Sequence, residues 1–301
     1  MASPEAEAIK GELEAFAASL ATDPPPELDE MRAAYQALAD VGASPDGVTW
    51  TDVEVDGIPA IWADAEGGAQ DRVLLYVHGG GYVIGAAKYY KWLTGHLAKA
   101  IGCRVLNLDY RLAPENPHPA PVTDSVKAFQ WLRAQGIDAD HIAIAGDSAG
   151  GGLTLATLLS LRDQGLEQPA AATPISPWAD MEGLGESMTS NADKDVLVGK
   201  EMLGAMAMLF VAGGDPKDPL AAPIYGDYSG IAPMYIQVGG DETLLDDTTR
   251  VAAKAEADGV DVRYEVFPEM QHVFQFGAGR MPEADDAVAK IGAFLRPHLG
   301  L

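Results

Sequence analysis

A serine stands between two glycines in Gly146-Asp147-Ser148-Ala149-Gly150, directly after the apolar run Ile142–Ala145. A strand that turns sharply into a helix at Gly-x-Ser-x-Gly presents the serine hydroxyl at the tip of the turn. Small residues at 146 and 150 permit that turn, and a helix starting near Ala149 aims its N-terminus at the hydroxyl. Such a serine attacks acyl carbonyls. The attack creates an oxyanion, which needs donors already in place. His78-Gly79-Gly80-Gly81 follows the apolar run Val73–Val77 and offers backbone N–H groups with no Cβ in the way. Gly80, Gly81 and Ala149 are the expected donors, with Gly79 in place of Gly81 as the alternative. The other reading is a plain glycine-rich loop or a phosphate cradle; a dinucleotide fingerprint is absent, because the spacing is not Gly-x-Gly-x-x-Gly.

A hydroxyl needs a base, and the base needs an acid to orient it. Among the six histidines, only His272 and His298 follow Ser148. His298 falls at the end of the last helical segment, far from any strand end, so His272 is the expected base. The acid is expected between Ser148 and His272 in chain order. Asp241, which follows the strand-like run Met234–Val238 after Gly239 and Gly240, is the expected acid, and Glu242 is its rival. Asp246 and Asp247 read as first-turn residues of the next helix, where a carboxylate favours the dipole. His78 is expected to hold the glycine loop by hydrogen bonds; His96, His118 and His141 read as surface or packing residues.

These residues must be held by a frame, and the pattern supplies one. Strand-like runs lie at Thr49–Val55, Ile58–Ala63, Val73–Val77, Arg104–Leu108, Ile142–Ala145, Ala171–Ile175, Met234–Val238 and Val262–Phe267. The first two are close enough for a hairpin around Asp56-Gly57. Helical segments alternate with the later runs at about Tyr89–Ile101, Val122–Gln135, Ala149–Gln164, Asp246–Ala257 and Glu283–His298. Alternation of this kind predicts a parallel sheet with helices on both faces and catalytic groups at the carboxyl ends of the strands. Ile9, Leu13, Phe16 and Leu20 keep a helical spacing; Asp23-Pro24-Pro25-Pro26 ends that helix, and a second runs from about Glu27 to Asp40. Between Ser176 and Pro223 no strand is visible, only a Met-rich helical run, Glu201–Phe210. Residues 1–45 and 176–222 are therefore expected to form a cap over a catalytic domain of residues 46–175 and 223–301. Met202, Met206 and Phe210, spaced i, i+4 and i+8, either line an acyl pocket, with Tyr82 beside the glycine loop, or serve as core filler.

The totals narrow the function. A chain of 301 residues with 48% hydrophobic and 22% charged residues is an ordinary globular protein with room for an enzyme site. Its 45 acidic against 20 basic residues give a formal charge of -25, the wrong sign for nucleic acid or an anionic membrane surface. That charge reads as solubility by self-repulsion, or as steering of cationic substrates. One cysteine, Cys103, cannot form an intrachain disulfide, and its apolar neighbours mark a buried structural thiol. The N-terminus lacks a basic start and an apolar core of signal-peptide type, and no run is long enough to span a bilayer, so a cytoplasmic location is expected.

With Ser148, His272, Asp241 and the triple-glycine loop in hand, the chain resembles the hormone-sensitive lipase family of bacterial esterases. The likeness also covers Asp109-Tyr110-Arg111-Leu112-Ala113-Pro114-Glu115 and Ser176-Pro177-Trp178-Ala179-Asp180. It implies an α/β-hydrolase fold, with an eight-stranded mostly parallel sheet flanked by helices and a helical cap. It further implies a serine carboxylesterase that cleaves short- to medium-chain acyl esters through a Ser-His-Asp triad and an acyl-enzyme. Its reactants are a small-molecule ester and water; it needs no cofactor and no metal, and a homodimer is compatible with it. Some relatives hydrolyse lactones, including monoterpene lactones, or amides, and the fold also hosts catalytically dead ligand receptors, which should lose the serine or the histidine. The family usually follows its acid with Pro-Leu, whereas Asp241 is followed by Glu242-Thr243-Leu244.

Overall fold

A two-residue turn opens the sheet. β1 (Val48–Val55) and β2 (Ile58–Ala65) pair antiparallel from Val55 opposite Ile58, leaving only Asp56 and Gly57 between them. Both adopt positive φ, 48° and 87°, the conformation that matches a hairpin turn to the twist of its strands. The computed structural model describes residues 1–23 and 26–301. Of the expected helix breaker, Pro24 and Pro25 lie outside the described residues.

Six further strands complete the sheet: β3 (Ala69–Val77), β4 (Cys103–Leu108), β5 (Ile142–Asp147), β6 (Ala171–Ile175), β7 (Met234–Gly239) and β8 (Val262–Phe267). Their spatial order is β1-β2-β4-β3-β5-β6-β7-β8; β1–β2 and β2–β4 are antiparallel and every later pair is parallel. The expected eight-stranded, mostly parallel sheet is what forms. β5, β6 and β7 are buried along their whole length, as strands covered on both faces must be, and so read as unbroken apolar runs. β1 and β8, at the edges, leave most of their residues partly or fully exposed instead.

The helices are α1 (Pro4–Leu20), α2 (Leu28–Ala34), α3 (Lys91–Ile101), α4 (Ala120–Ala134), α5 (Ala149–Asp163), α6 (Ser187–Ser190), α7 (Lys200–Val211), α8 (Leu245–Ala257) and α9 (Pro282–His298). Only Ser148 separates β5 from α5, and Ala149 through Leu161 are all buried. The expected second N-terminal helix divides: α2 ends at Ala34 and a tighter 3₁₀ turn carries the chain on to Asp40. α1 is capped by Ser3, whose hydroxyl accepts from the Ala6 N–H and donates to Glu283 at the start of α9. Arg32 fastens α2 to the Val83 and Ala113 carbonyl oxygens and to Glu115. Cys103 is buried, which pushes its thiol up to about 12 and keeps it inert. Among the described residues, no helix is long and apolar enough to cross a membrane.

Candidate active site

The turn from β5 into α5 leaves no room for side chains at its flanks. A Cβ on Gly146 or Gly150 would overlap the Val77 carbonyl oxygen of the neighbouring strand. Ser148 between them is forced to φ 54° and ψ -121°, a costly backbone state that persists because its surroundings fix it. Its N–H donates to the Ile175 carbonyl at 2.9 Å, and its own carbonyl accepts from the Trp178 N–H at 2.9 Å. The side chain emerges at the mouth of a cavity.

The glycine loop is braced from behind by the Asp109–Glu115 segment. Tyr110 donates its hydroxyl to the His78 carbonyl at 2.7 Å and stacks on the imidazole at 4.4 Å. His78 Nδ1 bonds the Gly79 carbonyl at 2.7 Å, so this histidine holds the loop, as its position suggested. The Gly80 carbonyl accepts from the Val83 and Ile84 N–H groups, closing the loop into a turn. Gly80 and Gly81 face the same cavity as Ser148. Ala149 is fully buried at the first position of α5, with its N–H among the unpaired donors of a helix start.

His272, in the loop after β8, is buried and bonds a carboxylate through Nδ1 at 2.8 Å. That carboxylate belongs to Glu242, which corrects the expectation of Asp241. β7 runs one residue further than expected, to Gly239, and a turn closes there as the Glu242 N–H meets the Gly239 carbonyl at 3.4 Å. The turn sends the Glu242 side chain back over the strand end, where Oε1 accepts from the Ser176 hydroxyl at 2.6 Å and the Gly239 N–H at 2.5 Å. Asp241 is left half-buried, held by its N–H to the Met270 carbonyl. A signal for this lay in the sequence. With Glu242 as the acid, Leu244 falls two residues later, where the family pattern has leucine.

Burial pushes the Glu242 carboxyl above its usual range, while His272, Ser176 and the Gly239 N–H pull it back toward ionisation. Burial alone would lower His272; Glu242 outweighs it, aided by the charges of Asp195 and Asp147, so the imidazole sits above its ordinary value.

Ser148 and His272 open into an apolar cavity of about 170 Å³. One wall comes from the N-terminal segment, through Phe16, Leu20, Met31 and Tyr35. The opposite wall comes from the segment after β6, through Leu197, Met202, Leu203 and Met206. The Met206 thioether packs directly on the Cα of Gly81. Two expected lining residues are elsewhere. Tyr82 and Phe210 stack face to face at 3.8 Å and 5°, both fully buried, outside the described lining of the cavity. The reason for Phe210 is rise: it stands eight residues, about 12 Å, along α7 from Met202, past the cavity's end. Tyr82 takes φ 62° and carries its ring to that same place.

Several working residues were not singled out from the sequence. Asp195 accepts from the Thr243 N–H and hydroxyl and from the N–H groups of Leu197 and Val198, and Asn191 donates to the Gly240 and Glu242 carbonyls. Asp247 is buried and accepts from the N–H groups of Ala179 and Asp180, which ties α8 to the segment after β6 and goes beyond the dipole role read for it. Such partners are long-range in the chain and carry no local signature. Among the described residues, Asp138, Asp140 and His141 come close enough together to hold a cation, but they lie before β5, at the end of the strand opposite Ser148.

Comparison with known proteins points the same way as this geometry. Residues 74–276 match a family described by its alpha/beta hydrolase fold. An acetyl-hydrolase of Streptomyces hygroscopicus is 39% identical over 301 residues, covering 100% of this chain and 99% of that protein. An esterase of Acinetobacter venetianus is 34% identical over 224 residues, 74% of each chain. The crystal structure of an esterase from the bacterial hormone-sensitive lipase family superposes with a TM-score of 0.96 at 46% identity, covering 100% of both chains.

Proposed function

The chain belongs to the α/β-hydrolase esterases of the bacterial hormone-sensitive lipase family and hydrolyses carboxylic esters, and we propose that it does so through Ser148, His272 and Glu242. Ser148 Oγ attacks the ester carbonyl as His272 Nε2 takes its proton. Glu242 holds the Nδ1–H and stabilises the imidazolium that forms. The N–H groups of Gly80, Gly81 and Ala149 receive the oxyanion. The alcohol leaves with the proton from Nε2, and water then attacks the acyl-enzyme with His272 again as base. The 2.8 Å bond between His272 Nδ1 and Glu242 Oε2 is the observation that carries this reading.

Residues 1–45 and 176–222 act as the cap, and 46–175 with 223–301 as the catalytic domain; the two cavity walls support that division. The substrates are esters of short- to medium-chain acids. An apolar space of about 170 Å³ resembles in size the engineered cavity of ~150 Å³ that takes up benzene, so it suits chains of about six carbons. A fluorophosphonate probe tests the nucleophile. Wild type should gain one phosphonyl group on Ser148 and lose activity, and Ser148→Ala should do neither; labelling or turnover in that variant would end the reading.

A further inference from the structure

Asp147, next to the nucleophile, is fully buried and takes no step in the chemistry above. Its carboxylate nonetheless accepts three hydrogen bonds. Oδ1 accepts from the Tyr76 hydroxyl at 2.7 Å and from the Gly79 N–H at 3.0 Å. Oδ2 accepts from the Tyr90 hydroxyl at 3.3 Å, and Tyr90 bonds the Tyr35 hydroxyl at 2.8 Å. Gly79 lies so close that a Cβ there would overlap Oδ2. The carboxylate therefore joins three parts of the molecule. One is the serine turn, the second is the glycine loop just before Gly80 and Gly81, and the third, through Tyr90, is Tyr35 in the N-terminal wall of the cavity.

Resting on the assignment of Ser148 and His272 above, we propose that Asp147 is a positioning residue that clamps the oxyanion loop to the nucleophile turn and adds a further anion to those of Glu242 and Asp195 around His272. The donors on the loop are useful only where the oxyanion will develop, and backbone N–H groups on a run of three glycines have no side chains to hold them there. A charge-assisted bond to the Gly79 N–H fixes the loop one residue before those donors. Tyr90 and Tyr35 extend the same network to the N-terminal segment, so docking of that segment and order in the loop are coupled.

The charge matters as well as the bonds. Tyr76, Tyr90, Tyr35 and Tyr110 face Asp147 and are neutral phenols, each raised by burial; His272 is the cation-forming group whose charge acts on it. Burial raises Asp147 to about 6, while Tyr76, His272, Gly79 and Tyr90 pull it back toward its charged form. The groups acting on His272 are Glu242, Asp195 and Asp147, all three raising it.

Asp147→Asn keeps the size and one acceptor but removes the charge and one acceptor. It should lower kcat by about tenfold or more through misplaced donors, with KM held within about threefold. The acid limb of kcat/KM should move to lower pH, because the imidazolium loses a neighbouring anion; a purely structural role would not move it. Tyr90→Phe, which removes one bond and keeps the ring, should lower kcat by about threefold with the acid limb in place. A kcat within twofold of wild type, or an unmoved acid limb, in folded Asp147→Asn overturns the proposal. If Asp147→Asn does not fold, wild-type kcat in Tyr90→Phe overturns it and a reduced kcat with unchanged KM supports it. Ser148→Ala assayed alongside separates the two readings: activity there sinks the catalytic assignment, whereas an inactive Ser148→Ala beside a fully active Asp147→Asn sinks only this one.

Discussion

The serine turn and the acid loop stand at the carboxyl ends of β5 and β7 and are joined in the proposed triad, yet different forces hold them. The serine turn is fixed by exclusion: Gly146 and Gly150 press against the Val77 carbonyl, and the backbone of Ser148 is pinned to Ile175 and Trp178. The acid loop is fixed by polar side chains brought from elsewhere. Ser176, Asn191 and Asp195, all in the segment after β6, bond Glu242, Gly240 and Thr243. A steric site fails all at once when a methyl group is added. A site held by hydrogen bonds fails by degrees, one partner at a time. The segment that walls the cavity thus also holds Glu242 in place.

The largest effect should come from Gly150→Ala, whose methyl group has only the Val77 and His78 backbone to meet. We expect a loss of roughly 3 kcal/mol or more, with no esterase activity in whatever folds. Urea unfolding followed by tryptophan fluorescence checks it; wild-type stability and turnover would show that the turn is not sterically fixed. On the other side of the comparison, Asp195→Asn keeps shape and loses a charged acceptor for Thr243, Leu197 and Val198. A slack acid loop should lower kcat by about ten- to a hundredfold while the protein still folds. Turnover unchanged within twofold would mean that the loop holds itself.

How far the sequence reached follows the same division. The glycine-flanked serine and the triple-glycine loop are local patterns, because steric demands write themselves into consecutive residues. β5 and β6 were visible as apolar runs for the same reason that they are buried on both faces. β3 begins at Ala69, four residues before its expected start, since Gln70 and Asp71 are polar and only the pairing of Ala69 with Cys103 extends it. The acid was placed one residue early because Asp241 and Glu242 differ only in which way a turn points them. That direction is set by the bond from the Glu242 N–H to the Gly239 carbonyl and by Ser176, 66 residues away in sequence.

A smaller effect should sharpen the picture of the cap. Met206 lines the cavity and rests on Gly81, so truncation to alanine should widen the space in front of Ser148. We expect the ratio of activity on p-nitrophenyl octanoate to that on the butyrate to rise severalfold. Stability should fall by less than the ~2–5 kcal/mol of a sealed core site, because one side of the residue is already open. A large drop in melting temperature with an unmoved ratio would return Met206 to the core.

The central claim is that Glu242 orients His272, and steady-state turnover of two variants tests it most directly. Glu242→Gln keeps the shape of the side chain and loses the charge on which the imidazolium depends; kcat should fall by about 10⁴, the scale known for the corresponding change in the serine-protease triad. Asp241→Asn, one residue away and out of reach of the ring, should stay within about threefold of wild type. The reverse order, with Asp241→Asn crippled and Glu242→Gln active, would contradict the account.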